Sequence, residues 1–68
     1  VIEIYNGDKL QSTVTLVDGK ITVVAAPGNS QQEQEEFVQS LRRNKMTDDG
    51  LYKWLTKRLR SHVYAVEK

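Results

Sequence analysis

The chain has 68 residues, with ten Lys/Arg against nine Asp/Glu, one histidine and no cysteine. That makes one small domain and excludes disulfides, thiolate metal sites, cysteine nucleophiles and histidine clusters. A chain this short buries only about 60% of the surface its unfolded form exposes, so oligomerisation gains weight as a source of further burial.

The first stretch, VIEIYNGDKL, alternates: Ile2 and Ile4 on one face, Val1, Glu3 and Tyr5 on the other. Asn6-Gly7 tolerates positive φ at both central positions, as a type I′ hairpin requires. A second alternating run sets Leu10, Val14 and Leu16 against Gln11, Thr13, Thr15 and Val17, and Asp18-Gly19 is a second hairpin signal. The third run sets Ile21, Val23 and Ala25 against Thr22 and Val24. These features predict an antiparallel three-stranded β-meander over residues 1–26. One face suits a core and the other, rich in threonine, suits solvent or a partner.

Pro27-Gly28-Asn29 ends the sheet. Ser30 with Glu33 matches a capping box, in which the serine oxygen and the glutamate each satisfy a free amide. The first helix is expected to run to about Asn44, with Phe37, Val38 and Leu41 as a narrow apolar stripe. Its acids lie early and its bases late, as the helix dipole favours. Thr47 is a good N-cap for a second helix, expected to reach about Ser61. At about 100° per residue, Leu51, Trp54, Leu55 and Leu59 share one arc, with Tyr52 at its edge. The helical pair thus covers residues 30–61, leaving 62–68 as a tail or short strand. His62-Val63-Tyr64-Ala65-Val66 is rich in β formers, so a strand after residue 61 pairing with an edge of the meander is favoured over a longer helix. The expected fold is α+β, βββαα or, with that strand, βββααβ.

Charge is uneven along the chain. Residues 1–29 sum to −1, whereas residues 41–62 carry seven Lys/Arg against Asp48 and Asp49, or +5. Lys53, Lys57 and Arg60 project from the second helix opposite its leucines, and Arg42, Arg43 and Lys45 lie at the corner between the helices. Such a surface suits a phosphate backbone. It is also the ordinary wet side of a helix. A helix-turn-helix that reads DNA is disfavoured, because Asp48-Asp49 puts acids where a recognition helix meets bases and phosphates. If the second helix continued, Tyr64 would join the basic face and His62 the apolar arc.

No catalytic set emerges. Ser61-His62 is only adjacency, and neighbouring carboxylates diverge by about 100° on a helix, so they make no chelate. No glycine-rich phosphate loop is present. No metal, cofactor or small-molecule ligand is indicated, and the expectation is a protein that is not an enzyme. The other sheet face offers Tyr5, Thr13, Thr15, Val17, Thr22 and Val24 as a surface for another protein or a second copy of the chain. Sequence alone therefore favours a small interaction or assembly module, such as a homodimer or a component of a larger complex. The alternative is non-specific nucleic-acid or polyanion binding through the basic helix. No apolar run approaches the roughly 18 residues of a membrane span. With no cysteine and no signal segment, the cytoplasm is the expected compartment, although the chain begins at Val1 without methionine.

Overall fold

The computed structural model describes residues 1–57 and 62–68. The order is β1 (Ile2–Asn6), β2 (Lys9–Val17), β3 (Lys20–Ala25), α1 (Gln31–Ser40), α2 (Asp48–Leu55) and β4 (Val63–Glu67). The meander is present, and the C-terminal segment adds a fourth antiparallel strand beside β1, giving the sheet order β3-β2-β1-β4. The fold is α+β, with both helices following the meander.

Turn chemistry sets the registers. Asp18 and Gly19 both hold positive φ, 52° and 75°, the pattern of a type I′ hairpin. The first turn differs from expectation. Its central pair is Gly7-Asp8, between the partnered Asn6 and Lys9, and only Gly7 takes positive φ, 63°. Glycine alone at the first central position suits type II′.

A two-residue turn pairs residues of opposite parity. Yet the core residues of β1, Ile2 and Ile4, and of β2, Ser12 and Val14, are all even-numbered. The register must therefore slip by one residue. It does so between Ile4, opposite Ser12, and Tyr5, opposite Leu10, leaving Gln11 as the extra residue of a β-bulge. Leu10 consequently shares the face of Tyr5 and not the core face.

Both helices lie on one side of the sheet, α1 against β3 and α2 against β2 and β3. Val38 of α1 and Leu51 and Leu55 of α2 close over Ile2, Ile4, Val14 and Val23, with Val63 of β4 in the same cluster. Phe37, Leu41, Tyr52 and Trp54 pack around it, partly buried. α1 also buries Gln34, one turn before Val38. The Oγ of Ser12 and the Oε1 of Gln34 are buried with no hydrogen-bond partner among the described residues. A buried unpaired hydroxyl costs about 1–3 kcal/mol of desolvation. Ser12→Ala is therefore expected to hold or raise stability, by up to about 1 kcal/mol in a urea titration.

The helices are shorter than expected. Ser30 caps α1 by accepting the Glu33 N–H, but the helix ends at Ser40 with Leu41 as C-cap. Asn44 and Lys45 then turn with positive φ, 23° and 54°, which a continuing helix excludes. Thr47 caps α2 by accepting the Gly50 N–H. α2 ends at Leu55, and Thr56 bonds back to the Lys53 carbonyl. Leu59, Arg60 and Ser61, which the expected helix included, lie outside the described residues. Among the described residues no helix is long and apolar enough to cross a membrane.

Candidate functional site

With both helices on one side, the opposite sheet face stays uncovered by either. Strand alternation places Tyr5, Thr13, Thr15, Val17, Thr22 and Val24 there, the six residues that sequence marked for a partner. β4 adds two that sequence did not include, Tyr64 and Val66, and the bulge adds Leu10. The register makes them neighbours: Tyr64, Tyr5 and Leu10 form one cross-strand row, and Val66, Glu3, Thr13 and Val24 the next. Val17 is 60% exposed, Val24 56% and Tyr64 44%.

The two tyrosines order this surface. Their rings stack with centroids 5.4 Å apart and planes 11° from parallel. Tyr5 Oη donates to Glu3 Oε1 at 2.9 Å, and Lys68 Nζ lies 3.7 Å from the same oxygen. The Glu3 carboxylate thus holds a donor and a counter-ion in the middle of the face. Bonding to that carboxylate is the main cause that raises the Tyr5 phenol above its ordinary value, with desolvation adding to it. Glu3→Gln removes the acceptor charge, so the Tyr5 ionisation in an ultraviolet pH titration is expected to move down. An unmoved titration would mean that the pair does not hold in solution.

The cationic candidates divide. Arg42 is committed within the fold: Nη2 pairs with Asp48, Nη1 donates to the Met46 carbonyl and Nε to Gln39 Oε1. It locks the corner onto the start of α2. Lys53 lies 3.4 Å from Asp49, one turn earlier on the same helix. Arg43, Lys45 and Lys57 are exposed. Arg43 and Lys45 sit before the first turn of α2, and Lys57 lies beyond its end. The eight-residue helix between them spans about 12 Å, with Asp48 and Asp49 at its near end. Acids thus interrupt the basic surface between the corner and Lys57. Tyr64 belongs to the open sheet face and not to a basic helix, because the chain after residue 62 is strand. His62 is exposed in a turn, where its carbonyl accepts the Gly7 N–H.

Asp48 has a second duty. Its Oδ2 accepts the Ile21 N–H at 2.9 Å, on the outer side of β3. Gln31, at the start of α1, works the same edge: Oε1 accepts the Ala25 N–H at 2.7 Å and Nε2 donates to the Val23 carbonyl at 2.6 Å. Side chains from both helices therefore occupy backbone groups that another strand would use.

Among the described residues no group of three histidine, aspartate or glutamate side chains is placed to hold a metal. A groove between the first turn and the β3–α1 loop is lined by Asn6, Lys9, Leu10, Gln11, Pro27 and Asn29. Among the described residues Lys9 is its one ionisable side chain. Compared with protein-family models, curated proteins and solved structures, the chain matches none.

Proposed function

We propose that this protein is a non-enzymatic assembly module that binds another protein, or a second copy of itself, through its open sheet face. One observation carries the reading. The register sets Tyr64, Tyr5 and Leu10 in one unbroken cross-strand row with Val66 beside it, and threonines with half-apolar side chains link that row to Val24 and Val17. Isolated exposed valines are ordinary, whereas continuous patches mark interfaces. An antiparallel sheet can keep one face packed on its core and leave the other open to water, as a docking module requires.

Charge favours a protein over a polyanion. The face holds Glu3 near its centre, and its cationic neighbour Lys68 is paired with that acid. A phosphate backbone needs a row of uncompensated cations.

Val24→Glu tests the proposal, with Val17→Glu as an independent second variant. Both sites are more than half exposed, so each change is expected to shift stability by no more than about 0.5 kcal/mol. Each is expected to abolish a complex with another protein that co-purifies with the native chain. A complex that survives both variants rejects the face. Binding to DNA or RNA at low salt that fades steeply with added salt, and is lost in Lys53→Glu/Lys57→Glu, would favour the polyanion reading instead.

A further inference from the structure

The sheet has two edges, and they are treated differently. On β3 the residues whose backbone faces outward are Ile21, Val23 and Ala25, and Asp48 and Gln31 bond to them. On β4 the pattern follows from two bonds to β1: Lys68 N–H to the Val1 carbonyl, and Gly7 N–H to the His62 carbonyl. Antiparallel alternation then turns the backbone of Tyr64 and Val66 toward β1, and that of Val63, Ala65 and Glu67 outward. Among the described residues no side chain bonds to those outward groups. An edge of this kind is a template for an extended chain and for little else.

We infer that β4 pairs antiparallel with β4 of a second copy of this chain, with Ala65 on the two-fold axis. Three features select this occupant. First, β4 is self-complementary in that register: Val63 faces Glu67 of the second copy, Ala65 faces its equivalent, and the outward groups form about six N–H···O=C bonds. Second, the register sets Tyr64 against Val66 of the other chain on the open face, an aromatic beside a β-branched residue, which is a favourable cross-strand pair. The two open faces become one continuous surface. Third, the assembly closes. Its outer edges are two copies of β3, both blocked by Asp48 and Gln31, so association stops at two chains and does not run on into a fibre. The inference goes beyond the proposed face binding, since its bonds are backbone bonds along the β4 edge, with Tyr64 and Val66 the side chains of the open face that it engages.

Amide exchange on the native chain, followed by NMR across a concentration series beside sedimentation, tests it. The mass is expected to double with concentration. Over the same range the Val63, Ala65 and Glu67 amides are expected to slow about tenfold or more, while Tyr64 and Val66 stay protected throughout. Ala65→Pro removes one outward N–H and no bond to β1, a place where an edge strand accepts proline, and is expected to keep the chain single. A chain that remains single at millimolar concentration, with those three amides exchanging freely, overturns the inference. A dimer whose Val63, Ala65 and Glu67 amides stay unprotected, and which Val24→Glu dissolves, also overturns it while leaving the face proposal intact.

Discussion

Replacing Ile4 with alanine is expected to cost about 2–5 kcal/mol, more than any surface change in the molecule. Ile4 is fully buried on β1, between β2 and β4, and its two cross-strand partners are Ser12 and Ala65. Both partners are small, so Ile4 fills the space between the sheet and the helices that they leave. The neighbouring strands are held at fixed spacing by their backbone bonds and cannot close in. A cavity is the result, and its cost adds to the lost transfer free energy. A domain of this length has about 3–10 kcal/mol of stability in all. Ile4→Ala should therefore unfold a large fraction of the chain at 37 °C, shown by a urea midpoint near zero. Val24→Ala, on the open face of the same sheet, should stay within about 0.5 kcal/mol of the native chain. Equal losses at the two positions would mean that the helices do not choose between the faces.

Asp48→Asn is expected to destabilise the protein at neutral pH and to make little difference in acid. The Ile21 N–H, then the Arg42 guanidinium, hold the Asp48 carboxyl below its ordinary value of 3.8, and Lys20 adds to the effect. A carboxylate whose folded value is depressed contributes stability that is complete above the unfolded value. That contribution is lost as the pH falls through the lower, folded value. Melting curves of the two proteins should be well separated at pH 7 and converge as the pH falls below the ordinary carboxylate range and through the lower, folded value. The same change loosens one of the blocks on the β3 edge. Combined with Gln31→Ala, it is expected to let β3 pair with other chains, seen as larger species in sedimentation. A double variant that associates no more than the native protein would show that Asp48 and Gln31 do not guard that edge.

Much of the fold was legible because strand parity is strict. Asp18-Gly19 flips the core set from even to odd residues, as Val14 and Val23 show. The same rule means that a two-residue first turn cannot align Ile2 and Ile4 with Val14 unless one residue is absorbed, a consequence the alternation reading did not draw. The Gln11 bulge is what parity demands, although the alternation taken alone put Leu10 in the core. The helix ends were less legible. Arg42 and Arg43 suit a helix C-terminus, and nothing local announces that Arg42 turns back to bind Asp48. Nor does composition reveal that Gln34 and Ser12 are buried, because each is drawn inside by its neighbours on the same face.

The open sheet face was visible from Tyr5 to Val24, since three strands suffice to define it. Tyr64 and Val66 were hidden, because their segment could also be read as the tail of a helix. The stacking partner of Tyr5 lies 59 positions away in sequence, a pairing set by β4 lying beside β1. The blocks on the β3 edge are likewise a product of tertiary placement. Asp48 and Gln31 look like ordinary first-turn residues of two helices until the helices are laid on the sheet.

Photo-crosslinking decides most directly whether the open face is where this protein meets its partner. A photoreactive phenylalanine analogue is placed at Val24, on the open face, or at Lys53, on the helical side, and irradiated in the cells that make the protein. We expect discrete adducts from position 24 and none from position 53. Adducts from position 53 with none from position 24 would contradict the account.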